Sequence, residues 1–260
     1  MTCVVTHNSG FFSCCSIKLY TIIKYFNTHR SLPDTVDSSA QFRLYKTNSV
    51  ADLTFEYFKR YNDVGSFSFD HPVVYDHDDQ FRPYNCLNFG DITPFITKYF
   101  SPSREVSSML STMESKYALD YDNLCTLFYR GNDKITETPL SSYDDYVQHG
   151  RALMLKHPGV RFLIQSDETE FIETMMREFP GSFLLKDEIR HMKRCRNTVD
   201  RTMRCDILQF SKLYLAITIL MSKSKYIVCG SGNCSIWIML YRGHTDGVFQ
   251  HLKDKWLTVP

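Results

Sequence analysis

The chain lacks any uninterrupted apolar run of about 18 residues, the length that a membrane-spanning helix requires. Its opening, Met1-Thr-Cys-Val-Val-Thr6, also lacks a charged segment followed by an apolar one. Neither sign of charge is in surplus: 30 Lys and Arg against 29 Asp and Glu leave a formal net charge of +1. That balance removes the global electrostatic case for nucleic acid or an anionic membrane as partner. No Cys-X-X-Cys pair occurs, and the nine cysteines, at 3, 14, 15, 86, 125, 195, 205, 229 and 234, are odd in number, so they suggest neither a disulfide framework nor a zinc ribbon. The expectation is a soluble protein without a signal peptide or metal site, its thiols reduced in a cytosolic compartment.

What is present is the composition of a globular protein: 43% hydrophobic, 23% charged, and an aromatic share of 14% drawn mainly from 19 Phe and 16 Tyr. With 260 residues there is room for one large domain or for two of roughly 100 to 150 residues.

The second half parses readily. Leu124 to Tyr129 reads as a buried strand ending in a polar loop. Ser142 and Asp145 form a capping box for a helix with Tyr143, Tyr146, Val147, Leu153 and Met154 on one face, stopped at Pro158-Gly159. Arg161 to Gln165 is a second strand, Thr169 to Phe179 a helix, and Ser182 to Leu185 a third strand. A basic stretch from Arg190 to Arg196, with Arg201 and Arg204, precedes a helix from about Asp206 to Ser222. The strand Tyr226 to Cys229, the loop Gly230 to Asn233 and a helix Ser235 to Tyr241 follow. Such β-α-β succession calls for a parallel sheet wound in the Rossmann manner.

The first half opens similarly, with a strand Thr2 to Thr6, a loop His7 to Gly10 and a helix Ser16 to Phe26. Short strands are expected at Gln41 to Tyr45 and Pro72 to Tyr75, with helices near Asp52 to Tyr61, Asp91 to Phe100 and Val106 to Tyr117. The domain boundary then falls at residue 118, dividing the chain into 1–117 and 118–260.

In open α/β sheets ligands bind beyond the carboxyl ends of the strands, so the polar groups in those loops are the functional candidates. They are Arg130 to Glu137, Asp167-Glu168 and Gly230 to Ser235. A glycine loop entering a helix offers unpaired N–H groups to a diphosphate, to which Arg130 adds a bidentate clamp and Lys134 a mobile cation. The plain alternatives are an Arg130–Asp133 pair across a turn, Asp167 as a helix cap, buried structural thiols at Cys229 and Cys234, and a solvated loop at Arg190 to Arg204.

Phe128-Tyr-Arg-Gly-Asn-Asp-Lys-Ile-Thr-Glu137 resembles the His-Val-Arg-Arg-Thr-Asp-Lys-type motif of the core-fucosylating and nodulation-factor fucosyltransferases. Phe162-Leu-Ile-Gln-Ser-Asp-Glu168 is similar to their apolar strand followed by Thr-Asp-Asp, and Tyr226-Ile-Val-Cys-Gly-Ser-Gly-Asn-Cys-Ser235 to their last strand and serine-rich loop. The resemblance covers about residues 124 to 245. It implies an α/β protein of the GT-B class, two Rossmann-like domains with a cleft between them, moving a sugar from a nucleotide sugar such as GDP-fucose to a glycan hydroxyl, with inversion and without a metal or other cofactor. By the same resemblance Arg130 holds the donor diphosphate, Asp133 orients it and Lys134 assists the leaving phosphate. Asp167 and Glu168 line the nucleoside pocket, Ser231, Gly232 and Asn233 lie near the phosphates, and the first half supplies acceptor surface.

The chain departs from that pattern at three places. Gly131 stands where the family has its second arginine, Phe128 where it has histidine, and no carboxylate is found at Ile217 or Thr218. Direct displacement needs a base for the acceptor hydroxyl; Glu137, one position short of the family's glutamate, is the nominee and His7 the alternative. A non-catalytic glycan- or nucleotide-binding module is the competing expectation, and nucleic-acid binding through the Arg190 to Arg204 stretch a third. The opening Asn8-Ser-Gly-Phe-Phe-Ser-Cys-Cys15 is similar to proteins of large DNA viruses, which implies a virus-encoded enzyme acting in a host cytoplasm.

Overall fold

A computed structural model of the chain describes residues 1–48, 50–63, 65–203 and 206–258. Arg204 of the basic stretch and Cys205 lie outside the described residues. In the first half β1 (Thr2–Val4) and β2 (Thr35–Asp37) form a parallel pair, connected through α1 (Phe11–His29). The short α2 (Thr54–Tyr57) follows, then α3 (Phe89–Tyr99) and α4 (Arg104–Lys116), which are started by Asn88 and Ser103 side chains accepting from the amides of Asp91 and Val106.

The second half is a five-stranded sheet in the order β4-β3-β5-β6-β7. Its strands are β3 (Leu124–Tyr129), β4 (Arg161–Ser166), β5 (Tyr226–Gly230), β6 (Val248–Leu252) and β7 (Lys255–Thr258), all parallel except the final β6–β7 hairpin. Every residue of β3 is buried, as a strand covered on both faces requires. The helices of this half are α5 (Tyr143–Lys156), α6 (Thr169–Glu178), α7 (Val199–Thr202), α8 (Ile207–Ser222) and α9 (Asn233–Arg242). Ser142 and Asp145 make the expected capping box on α5. At the end of α9, Gly243 takes φ 76°, the left-handed turn that glycine adopts without steric cost.

One hydrophobic core runs through both halves. Its bridge is Trp237 of α9, with ring centroids 6.0 Å from Phe12 and 4.8 Å from Phe100, and with Nε1 donating to Ser16 Oγ at 2.9 Å.

Several local expectations change. Gln41 to Tyr45 is not a strand: Phe42 is fully buried at φ 58°, and the chain turns there into a 3-10 turn at Arg43–Tyr45. Pro72 to Tyr75 has no strand partner among the described residues; the Asn27 amide instead bonds both Val73 N (2.9 Å) and Val73 O (2.8 Å). Ser182 to Leu185 contracts to one parallel bridge between Phe183 and Leu163. The helix expected over Asp52 to Tyr61 keeps only Thr54–Tyr57 before Phe58 extends to bridge Pro102. Helix α1 begins five residues earlier than Ser16, since Phe11, Phe12, Cys14 and Cys15 are all buried and hide the amphipathic period. On α5, Met154 is exposed, and the inner face instead carries Gly150, where an added Cβ would run into the Phe179 ring.

Candidate functional site

The carboxyl ends of β3, β4 and β5 open into a cleft of about 1190 Å³. Its other wall comes from the first half: the Asn8 to Ser13 segment at the start of α1, Arg43 to Tyr45, and the turn containing His77 and Asp78.

The loop after β3 is stitched in place. Asn132 sits at φ 46°, with its Nδ2 donating to Asp167 O (2.8 Å) and its Oδ1 accepting from Cys195 N (2.9 Å). That turn aims Arg130, Asp133, Lys134 and Glu137 into the cleft. The Arg130 guanidinium lies 3.3 Å from Asp167 Oδ2, 3.2 Å from Asp133 Oδ1 and 3.2 Å from the Tyr214 hydroxyl. Burial opposes its charge, but Asp167, Tyr214 and Asp133 outweigh burial and raise its pKa further, so it is a permanent cation. Lys134 Nζ donates to Glu137 Oε2 at 2.5 Å, which joins two of the nominated catalytic residues in one ion pair.

Across the cleft, α9 starts at Gly232 with no side-chain cap. The Tyr84 hydroxyl lies 3.1 Å from Gly232 N, Ser231 Oγ donates to His251 O, and Asn233 Oδ1 accepts from Ser16 Oγ. A helix N-terminus of this kind is partially positive. Ser231, Gly232 and Asn233 all line the cleft. The Cys229 thiol is pushed up to about 12 by burial and that of Cys234 is raised for the same reason, so neither is a thiolate nucleophile.

Two nominated residues stand elsewhere. His7 is not on the cleft wall: its Nε2 bonds Ser13 Oγ at 2.9 Å, and burial, with the nearby His77 ring, lowers its pKa. His77 faces the cleft in its place. Glu168 is not on the wall either. Its carboxylate, 1% exposed, accepts from Asn132 N, the Tyr143 hydroxyl and Arg194 Nε, the last at 2.9 Å. It also fills the space beside Gly131, where a Cβ would collide with its Oε2 and with the Tyr129 ring. A second arginine after Arg130 therefore has no room, and the carboxylate that excludes it recruits Arg194 from the basic stretch. Arg190 of that stretch lines the cleft, tied down by Asp200 at 2.5 Å and lying over the Phe210 ring at 4.7 Å, and Arg196 lines the cleft as well.

Several lining residues lay outside sequence reasoning. Tyr45 donates to Asp200 Oδ2 (2.9 Å) and accepts from Phe11 N (2.8 Å), joining the two halves at the cleft. Gln165, Tyr214 and His251 also line it. Only Gln165 had a local signal, a polar residue ending an apolar strand next to Asp167. Among the described residues there is no group of three or more His, Cys, Asp or Glu arranged to hold a metal ion, and no helix long and apolar enough to cross a membrane.

No protein-family model and no curated protein matches the chain. Solved structures do. A crystal structure of NodZ alpha-1,6-fucosyltransferase soaked with GDP-fucose superposes with a TM-score of 0.58 at 9% identity, covering 99% of this chain and 98% of that one. Fucosyltransferase NodZ from Bradyrhizobium gives 0.57 at 8% identity, covering 100% and 99%. At such identities the likeness is one of fold, and the parallel sheets, flanking helices and intervening cleft give this chain the GT-B fold.

Proposed function

We propose that the protein is a glycosyltransferase that moves a sugar, L-fucose from GDP-fucose, to a glycan hydroxyl by direct displacement with inversion and without a metal. The observation that carries this reading is the facing pair of cationic elements in one cleft: Arg130 and Lys134 beyond β3, and the uncapped N-terminus of α9 beyond β5. A nucleotide diphosphate fits between them, with the N–H groups of α9 on one side and the guanidinium on the other. The likeness to a structure soaked with GDP-fucose supports the choice of donor.

In this reading residues 118–260 hold the donor and 1–117 shape the acceptor side. Asp133 and Asp167 orient Arg130, which stabilises the charge that grows on the departing diphosphate. An arriving diphosphate competes for Lys134, and the broken ion pair frees the Glu137 carboxylate to take the hydroxyl proton. A cytoplasmic setting and kinship with large-DNA-virus proteins belong to the same reading, supported by the cysteine pattern and the opening segment.

A thermal-shift panel of GDP, UDP, dTDP and their sugars tests it, since a ligand at about 100 times its Kd stabilises by about 2.7 kcal/mol. The expected result is a shift with GDP and GDP-fucose; no shift with any member would sink the reading. The Lys134–Glu137 pair favours one competitor, a nucleotide-binding module without catalysis, because it occupies both the leaving-group cation and the base. Binding with neither transfer nor donor hydrolysis would select that competitor.

A further inference from the structure

Arg43 and Arg196 line the cleft from its two halves, and both are exposed. Neither guanidinium has a carboxylate partner among the described residues, although six carboxylates share the cleft wall. Asp133 and Asp167 are engaged by Arg130, Glu137 by Lys134, Asp200 by Arg190 and Tyr45, and Glu188 by Lys116 and Tyr117. The sixth, Asp78, stands beside His77 at 3.7 Å. Both arginines are presented by pinned backbone. Phe42, just before Arg43, is fully buried at φ 58°, a conformation that bulky residues rarely adopt and that persists only where the surroundings enforce it. Arg43 N then donates to Asn8 Oδ1 at 3.0 Å. On the other side Cys195 N donates to Asn132 Oδ1 at 2.9 Å, which ties Arg196 to the loop after β3. Tyr45 and Asp200, 2.9 Å apart, join the two presenting segments, so the arginines flank a contact between the halves.

A single exposed arginine is ordinary surface. Two of them, held without counter-charges on opposite walls of one cleft, make a site for an anion, and a planar guanidinium matches the paired oxygens of a phosphate, sulfate or carboxylate. The donor diphosphate has Arg130, Lys134 and the start of α9 for its own charge. The cleft of about 1190 Å³ is also larger than the roughly 300 to 1,000 Å³ of ordinary small-molecule pockets, so a second ligand has room beside the donor. We propose that the acceptor glycan is anionic, carrying a phosphate, sulfate or carboxylate group that Arg43 and Arg196 hold from either side. This rests on the nucleotide-sugar reading and deepens it by naming the acceptor class: a neutral glycan leaves both cations unmatched.

The test is calorimetric titration of the full chain, first with GDP and then, once saturated, with defined oligosaccharides. These are a chitin oligomer without charge, a hyaluronan oligomer with carboxylates, a heparin oligomer with sulfates and carboxylates, and a phosphorylated mannose oligomer. At least one charged oligomer should bind about tenfold or more tightly than the chitin oligomer, with an advantage that shrinks as salt is added. Which one it is identifies the anionic group. Arg43→Gln and Arg196→Gln should each remove about tenfold of that affinity, the worth of one hydrogen bond to a charged group, and leave GDP affinity unchanged. Both side chains are exposed, so Tm should hold in the variants. Charged oligomers that bind no more tightly than the chitin oligomer would overturn the proposal, as would variants that keep the full preference. Variants that lose GDP affinity to the same extent would also overturn it, because the arginines would then belong to the donor. A wild type that binds no GDP would overturn the donor reading itself.

Discussion

Arg130 is where stability and catalysis can be separated. Its side chain is 26% exposed and its partner Asp167 is 7% exposed, so replacing Arg130 by Ala leaves a buried carboxylate whose remaining hydrogen bond comes from Gly131 N. Breaking a buried pair in this way costs about 3 to 5 kcal/mol, and partial solvent access to the guanidinium places the expected loss near the lower end, about 3 kcal/mol. At about 2 to 4 °C per kcal/mol, Arg130→Ala should lower Tm by about 6 to 12 °C. In Arg130→Ala/Asp167→Asn the stranded charge is gone while Oδ1 still accepts from Gly131 N, so most of that Tm should return. Sugar transfer should not return with it. Losing a well-placed donor to the leaving diphosphate costs about 3 to 4 kcal/mol at the transition state, roughly 10²- to 10³-fold in turnover. The assay is paired: thermal denaturation, and radiolabelled sugar transfer below the lower Tm, with Asp167→Asn alone as control. If the double variant regained turnover together with stability, Arg130 would be a structural ion-pair partner and the diphosphate assignment would be wrong.

Gly131→Ala should cost about 1 to 3 kcal/mol in urea denaturation, because its Cβ is directed into the Glu168 carboxylate and the Tyr129 ring. A neutral result would mean that this packing yields easily. Glu137→Gln should lower kcat by about 10² or more with little change in donor KM, and a wild-type rate would place the base elsewhere. Lys18, fully buried on α1, has its pKa pushed down to about 8 from 10.5 by burial, against the pull of Asp52, Cys15 and Cys3. The unfolded chain then holds the extra proton between those values, so the penalty is complete below pH 8 and is relieved as pH rises to 10.5. The stability difference, wild type minus Lys18→Met, should climb by about 3 kcal/mol across that window. A flat difference would show that Lys18 is hydrated in the folded state.

The elements of the second half were legible because each carries local physics. Examples are the all-apolar β3, the Ser142–Asp145 capping box, and the Pro158-Gly159 stop that follows α5. The β6–β7 hairpin was not, since buried Gln250 and His251 interrupt its apolar pattern; Gln250 is buried because its amide serves Tyr84 N, Arg82 O and Ser231 Oγ, partners distant in sequence. The first half was harder for the same reason: Phe42 and Asn27 act through tertiary contacts that no local period records.

By itself the sequence determined which loops hold polar groups at strand ends, and so where Arg130, Asp133, Lys134 and Gly232 stand, because strand and helix periods are local properties of the chain. Which of those groups face the cleft was decided by tertiary structure alone. Glu168 and His7 carry side chains as polar as their neighbours, yet Arg194 and Tyr143 claim the first and Ser13 the second, whereas Gln165 keeps its Oε1 unpaired. A buried polar group must find a partner, and which partner is within reach depends on segments far apart in sequence.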